Sequence, residues 1–357
     1  MRYLKQALIE TTITGYNLRK NKGVKMLVIP KNYKPKLSLY ETQIAIGKLK
    51  RFFEDNLSRA LNLKRVSAPL FVEPNKGIND DLSGIERAVE FDIQQTEEKA
   101  QVVQSLAKWK RVALEKYGFP VGEGIYADMN AIRRDDVRDN IHSIYVDQWD
   151  WEKVIDKNSR NETYLEETVT AIVNSIFDTS EELSKIFPIT QIPKRDVYFI
   201  TSQELEYQYP TLSSKERENA CAKEHKIIFI KQIGGNLRSG KPHDSRAPDY
   251  DDWTLNGDIL FWCDILNYAI ELSSMGIRVD SLTLNNQLEL SGLNDRRELM
   301  YHKMLLNNQL PYTIGGGIGQ SRLSMLLLQK AHIGEVQVSV WDKTTIEACN
   351  MAGIQLL

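Results

Sequence analysis

The stretch "IGGGIGQSRLSMLLL" (314–328) packs four glycines into six residues and then enters an apolar run with Arg322 near its start. Glycine ahead of a helix lets backbone N–H groups and a guanidinium face a phosphate together. Two common nucleotide motifs fail here. A dinucleotide fingerprint needs a third glycine where Arg322 stands, and a Walker motif needs Gly-Lys-Ser/Thr. "GNLRSGK" (235–241) comes nearer to the Walker pattern. However, Pro242 replaces the hydroxyl that would hold Mg²⁺, and "PHDSRAPDYDD" is no helix, so a surface loop near a site is expected. On these residues alone, 314–328 is equally an anion site or a glycine-packed strand with a surface arginine.

Other polar residues narrow the choice. "IHSIYVDQWDWE" alternates with strand period, placing His142, Ile144, Val146, Gln148 and Asp150 on one face and Trp149 and Trp151 on the other. Gln148 and Asp150 end an otherwise apolar face, so they either line a pocket or mark where the strand meets water. "APDYDDW" supplies Asp249, Asp251 and Asp252, and "ELSSMGIRV" supplies Glu271, Ser273, Ser274 and Arg278. Acids in two segments, with none of the five histidines in metal-ligand spacing, suit a hard cation such as Mg²⁺ better than zinc. A solvated acidic loop is the plain alternative. "NDDLSG" and "QSLAKWKR" each set charged groups beside small residues.

These residues need a scaffold. "SLYE" (38–41) is a capping box, and Ile46, Leu49, Phe53, Leu57 and Leu61 continue it as a long amphipathic helix. The following "KRVSAPLFV" reads as a strand with Pro69 at an edge or boundary. Further strands are expected at 142–151, 197–201, 226–231, 257–262 and 335–341, and helices at 165–177, 216–224 and 296–306. Strands with several hairpin-like neighbours and helices of unequal length indicate an α+β domain, an antiparallel sheet flanked by helices, rather than regular βαβ repeats.

Composition sets the outer bounds. The 357 residues are 42% hydrophobic and 26% charged, ordinary for a folded chain, and the net charge of −2 gives no general pull toward nucleic acid or an anionic membrane. The longest apolar stretch, "ILFWCDILNYAIEL", is interrupted by Asp264 and Asn267, so no membrane span is expected. Cys221, Cys263 and Cys349 share no metal-like spacing and read as reduced thiols of a cytoplasmic protein. Residues 1–36 hold nine Lys/Arg against one acid, Glu10. They read as a basic, poorly ordered extension, such as a start upstream of Met26 would add, ahead of a single domain over 37–357. An organelle leader is the other reading.

Taken together, the motifs resemble a family. "QSLAKWKR" is similar to the substrate loop of aspartyl-tRNA synthetases. The helix before "KRVSAPLF" resembles class II synthetase motif 1, "IRRDD…HSIYVDQWDWE" motif 2, and "GGGIGQSRLSMLLL" motif 3 with Arg322 as its arginine. The resemblance is closer to the ammonia-dependent aspartate–ammonia ligases (asparagine synthetase A), through "DDLSGIERAV", "SLAKWKR", "VDQWDWE", "RAPDYDDW", "LNGDILFW", "ELSSMGIRV" and "TIGGGIGQSRLSMLLLQ". It implies a class II aminoacyl-tRNA synthetase-like fold and a homodimer. ATP, Mg²⁺, L-aspartate and ammonia would be used to make asparagine through β-aspartyl-AMP, with AMP and diphosphate released. It further implies that Arg133 meets the α-phosphate and Arg322 the nucleotide or the activated carboxylate. Glu271 and Asp251 would hold Mg²⁺, and Lys110 would pair with a substrate carboxylate beside Ser105. Asp80 and Gln148 would hold the α-amino group, with Asp150, Ser274 and Arg278 close by, and Asp80 is also a candidate base for ammonia.

A tRNA-charging enzyme is the main rival. An aspartyl-tRNA synthetase of the bacterial or archaeal kind carries an OB domain of roughly a hundred residues before its core, and about 36 residues leave no room for one. A non-catalytic amino-acid-binding relative would be expected to have lost Arg133, Lys110 or Arg322, and all three are present.

Overall fold

The first long helix begins and ends where its sequence dictates. In the computed structural model, which describes residues 14–15, 27–82, 86–96 and 98–357, α1 spans Leu39–Leu61. Glu41 N–H donates to the Ser38 hydroxyl (3.2 Å), Ser38 N–H donates back to the Glu41 carboxylate (2.9 Å), and Asn62 closes the helix in the left-handed region (φ 58°). Leu49, Phe53, Leu57 and Leu61 are buried as the spacing requires, with Ala45, while Ile46 is only half-buried.

An eight-stranded sheet carries the rest. In spatial order it runs β1 (Leu63–Arg65), β5 (Gly124–Ile132), β6 (Tyr145–Val154), β11 (Thr313–Gly319), β10 (Tyr268–Arg278), β9 (Asp251–Cys263), β8 (Ile227–Lys231) and β7 (Tyr198–Thr201). Only the two outermost pairings, β1 with β5 and β8 with β7, are parallel. A small sheet of β2 (Phe71–Val72), β4 (Glu98–Val102) and β3 (Glu90–Ile93) stands apart. The expected antiparallel sheet is therefore present. Helix α2 (Ala107–Tyr117) precedes β5, and α3 (Glu162–Ser184) packs on α1. Helices α4 (Ser202–Gln208) and α5 (Ser214–His225) join β7 to β8. Helices α6 (Ser281–Leu290) and α7 (Met300–Leu306) lie between β10 and β11, and α8 (Gln320–Leu327) and α9 (Lys343–Met351) come after β11.

Three expectations need correction. "KRVSAPLFV" is not one strand: Leu63–Arg65 and Phe71–Val72 belong to different sheets, with irregular chain between them. Residues 335–341 form no strand: a 3₁₀ turn (Ile333–Glu335) leads into irregular chain, and the buried Trp341 ring stacks edge-on against His332 instead. The helix expected at 296–306 is split into a 3₁₀ turn (Asn294–Glu298) and α7. Strands β5 and β10 and helix α2 add to the elements read from the sequence. Of the basic segment 1–36, residues 27–36 run along the domain: Val28 N–H donates to Asn140 (2.8 Å) and the Tyr33 hydroxyl to Glu335 (2.9 Å). Its remainder, apart from 14–15, lies outside the described residues.

The sheet separates an apolar face from a polar one. Trp149 and Trp151 of β6, Ile259 and Phe261 of β9, and Ile314 and Ile318 of β11 all enter the main core with α1 and α3. Their neighbours in register, Gln148, Asp150, Glu152, Gly315, Gly317 and Ser274, take the opposite face. The pairing of β9 with β10 slips between Ile259/Ser273 and Leu260/Glu271, leaving Leu272 as an extra residue. This bulge shifts the parity, so that Glu271 and Ser274 share the polar face although three positions separate them. The glycines of β11 are steric requirements. A Cβ on Gly315 would lie 2.1 Å from a Glu152 carboxylate oxygen and 2.7 Å from an Arg278 guanidinium nitrogen. Gly319 differs, since a Cβ there meets only the flexible Arg322 side chain at 3.4 Å. Gly315→Ala is therefore expected to cost about 1–3 kcal/mol of stability, while Gly319→Ala stays within about 0.5 kcal/mol of wild type. Denaturant unfolding of the two variants measures the difference, and equal losses would contradict the packing described.

Candidate active site

A cavity of about 800 Å³ opens on the polar face, and its wall includes Asp80, Ser105, Lys110, Arg133, Gln148, Asp150, Asp251, Glu271, Ser274, Arg278 and Arg322. These are all eleven residues named from the sequence. They come from seven different segments, so their convergence is a property of the fold and not of sequence proximity.

The floor is a lattice of buried charges. Lys110, from α2, directs its ammonium beneath the sheet, where it donates to Asp150 (2.5 Å) and to the carbonyls of Trp151 and Gly316 (2.9 Å each), with Glu152 3.9 Å away. All three of its protons are thus engaged inside the protein. Burial lowers the pKa of Lys110, and Asp150 and Glu152 oppose that shift. Arg278 forks onto Glu152 through Nε (3.0 Å) and Nη2 (2.7 Å) and also pairs with Asp251. Burial works to raise the Glu152 carboxyl, but Arg278, Lys110 and the Thr313 hydroxyl outweigh it and hold the group below its usual range. One oxygen of Asp150, Oδ2, is buried without a hydrogen-bond partner. Gln148 lies directly over Gly317, where a Cβ would meet its amide oxygen at 2.6 Å.

The walls carry the less committed cations. Arg133 follows β5 and donates to the Gln104 carbonyl over a long bond (3.4 Å), and its buried Nε has no hydrogen-bond partner among the described residues. Arg322 stands in the first turn of α8, donating to the carbonyls of Glu271 (3.0 Å) and Ile141 (3.3 Å). So the glycine stretch is both a packed strand and the support of an arginine at a helix start. Asp80 is nearly fully buried, with Oδ1 accepting from Leu82 N–H (2.9 Å). Burial raises its pKa, while Lys108 and the Ser105 hydroxyl pull the other way. Ser274 faces the cavity, whereas the Ser273 hydroxyl is buried on the core side without a partner.

The acids of "APDYDDW" do not gather around a cation. Asp249 is bound by Lys108, Arg296 and His302, Asp251 by Arg278, and Asp252 by Arg160. Strand register places Asp251 opposite Arg278 but Glu271 opposite Leu260, several residues further along the hairpin. Asp251 and Glu271 therefore do not form a pair. The carboxylate near Glu271 is Asp258, which pairs with Arg246 and whose Oδ1 is buried without a partner. Burial, together with repulsion from Glu271 and Asp244, pushes Asp258 up to about 7. Glu271 is held below its usual range, because Arg322, Arg246 and Lys215 outweigh the effect of its burial. Among the described residues no three His, Cys, Asp or Glu side chains cluster as a metal cage. Two carboxylates with a free oxygen nevertheless suit Mg²⁺, which commonly takes one or two carboxylates and completes its shell with water and substrate phosphates. Of the motif residues given no role, Glu152 was readable as the next same-face position after Gln148 and Asp150. Asp258 was not, since its partnership with Glu271 depends on the bulge.

Comparison with known proteins identifies the family and the fold. The aspartate-ammonia ligase family matches residues 40–353. An aspartate–ammonia ligase of Clostridium perfringens is 59% identical over 333 residues, which are 93% of this chain and 99% of that protein. The Clostridium tetani and Ligilactobacillus salivarius ligases are 56% and 55% identical, with the same 93% of this chain and 98% and 99% of theirs. The fold is also that of class II synthetases. Entamoeba histolytica asparaginyl-tRNA synthetase bound to asparaginyl-adenylate aligns with a TM-score of 0.58 at 16% identity, over 84% of this chain and 66% of that one. The Pyrococcus horikoshii asparaginyl-tRNA synthetase bound to asparaginyl-adenylate gives 0.55 at 17%, over 88% and 76%. With its motifs, its cavity and the near full-length match all in agreement, this chain belongs to the aspartate–ammonia ligase family.

Proposed function

We propose that the cavity binds ATP and L-aspartate side by side and carries out both halves of the family's reaction, the ATP-dependent conversion of aspartate and ammonia to asparagine. The convergence of all eleven side chains on one cavity carries this reading. A carboxylate resists ammonia because oxide is a poor leaving group, so the side chain is first joined to AMP, with diphosphate released. Arg133 and Arg322 would meet the α-phosphate and the carboxylate being activated, since both have donors to spare and both face negative charge as it develops. The free Asp150 oxygen and Gln148 would take the α-ammonium. The two N–H groups of Arg278 left over from Glu152 and Asp251, with Ser274, would take the α-carboxylate. Lys110 is better read as the post that fixes Asp150 than as a direct ligand of substrate.

Glu271, on the cavity wall, would seat Mg²⁺ on the ATP phosphates, where it supplies charge neutralisation, with Asp258 adding negative charge from just behind the wall. Asp251 is replaced in that role, because Arg278 already occupies it. In the second half the lone pair of ammonia forms the C–N bond, the C–O bond to AMP breaks with its electrons leaving on AMP, and a nitrogen proton passes to Asp80. A homodimer is supported by apolar side chains left exposed at the start of α1 (Leu39, Tyr40, Ile44) and on the small sheet (Leu70, Phe71, Phe91). A cytoplasmic setting accords with three buried free cysteines. No helix among the described residues is long and apolar enough to cross a membrane.

Purified protein with ATP, Mg²⁺ and aspartate should yield asparagine only when ammonium is added, with AMP and not ADP as the nucleotide product; tRNA charging in place of asparagine would sink the reading. Arg133→Ala and Arg322→Ala should each lower aspartate-dependent ATP–pyrophosphate exchange by about 10²-fold or more, and loss of less than about fivefold would remove that residue from the site. Because a proton occupies Asp258 below about pH 7, Mg²⁺ binding should weaken as the pH falls through that value. Calorimetric titration of MgATP at several pH values would show this as a slope steeper in the wild type than in Asp258→Asn, and equal slopes would exclude a role for Asp258.

A further inference from the structure

Helix α2 sends two lysines into the interior, and only Lys110 reaches the cavity. Lys108 lies two positions earlier, about 200° round the helix, and is buried at 2% exposure with its Nζ 3.2 Å from Asp249 Oδ2. Asp249 is wholly buried, and the same oxygen also takes Arg296 (2.7 Å) and the His302 ring (3.0 Å). Neither Lys108 nor Asp249 forms part of the cavity wall, so neither touches substrate there. What they share is a neighbour that does.

Asp80, on the cavity wall, is within electrostatic reach of this cluster. Lys108 and Ser105 face it from α2 and the residues just before, Asp249 and Tyr250 from the lead-in to β9, and Arg296 from the 3₁₀ turn before α7, with Asp81 beside it in the chain. Arg296 also pairs with Asp81 (2.6 Å). The Asp249 carboxylate, left to itself, would drive the buried Asp80 toward its neutral form. Lys108 supplies the opposing charge, and Asp249 is what prevents that lysine from turning away.

We propose that Lys108, clamped by Asp249, is a positioning residue of the ammonia step, keeping Asp80 in the anionic form that accepts the proton from the attacking nitrogen. This rests on Asp80 being that base. The alternative is a buried ion pair that only holds the fold together, and such a pair would weaken both half-reactions alike.

The two half-reactions separate these cases. Aspartate-dependent ATP–pyrophosphate exchange reports adenylation, and asparagine formation with varied ammonium and pH reports the second step. Lys108→Met should keep exchange within about threefold of wild type, lose asparagine formation by about tenfold or more near neutral pH, and move the acid limb of that step up by about one pH unit or more. Lys108→Arg should restore most of the loss. Asp249→Asn removes a negative neighbour of Asp80 while its amide oxygen can still accept from the charged lysine, so its acid limb should move down. Opposite shifts are not what a purely structural pair gives, and they decide the matter through Asp249→Asn and Lys108→Arg even if Lys108→Met does not fold. Equal losses in both half-reactions, or acid limbs that stay in place, would overturn the proposal. Asp80→Asn keeps the two claims distinct. If it forms asparagine at the wild-type rate, the base has been misassigned and the Lys108 role falls with it; if it abolishes asparagine formation while the acid limbs of the other variants do not move, Asp80 stands and Lys108 does not.

Discussion

The site depends on a lattice of five charges, Lys110, Arg278, Asp150, Glu152 and Asp251, buried together on one face of the sheet. Buried ions are tolerated only when nearly every donor and acceptor is matched, and removing one member strands the others at a cost of several kcal/mol. The matching here is close: the ammonium of Lys110 has three acceptors and the guanidinium of Arg278 forks onto two carboxylates. Three acids against two bases leave an excess of negative charge and one unmatched oxygen on Asp150. A lattice of this kind cannot relax toward a ligand. It presents a fixed field, which is what an enzyme needs when it stabilises charge rather than forming a bond to its substrate.

Such a lattice fits on a sheet only if the backbone gives up space. Gly315 does so for Glu152 and Arg278, and Gly317 for Gln148, because any side chain there would occupy the positions of those polar groups. The bulge at Leu272 makes the complementary adjustment along the neighbouring strand, bringing Glu271 onto the face that already carries Ser274 and Asp258. Glycines and bulge together let two hairpins hold more polar side chains on one surface than strict alternation allows.

This accounts for what the sequence disclosed and what it withheld. The capping box at Ser38, the strand alternation around Trp149 and the arginine after the glycines are local signals, and each appears in the structure in its expected place. Motif resemblance placed the site residues in one cavity because the motifs mark segments, and the fold brings segments together. Partnerships were another matter. Which acid lies near Glu271 depends on a one-residue slip in register, which no local signal in the sequence discloses. The extended-looking "EVQVSVW" has the alternation of a strand but finds no neighbouring strand, so its pattern serves burial of Gln337 and Trp341 instead. The role of Lys108 was equally hidden, since "AKWKR" presents two lysines with nothing local to tell them apart.

The shared architecture with asparaginyl-tRNA synthetases extends to the fold alone, and the chemistry explains why one fold can serve both kinds of protein. Activating a carboxylate requires cations at the phosphate and a rigid seat for the amino acid; the proposed seat lies on the sheet, and the two arginines proposed for the phosphate stand at its margin, after β5 and at the start of α8. The fate of the activated carboxylate depends on the acceptor. A small acceptor such as ammonia needs no docking surface, only access to the adenylate and a group that can take a proton from nitrogen. That group must be an anion, yet a buried carboxylate in an apolar setting tends toward its neutral form. A cation placed behind Asp80, as proposed for Lys108, would resolve the conflict without adding a further positive charge to the cavity wall. On the proposed roles, one lysine of α2 would serve the amino-acid seat and the other the base, so that a single helix would support both halves of the reaction.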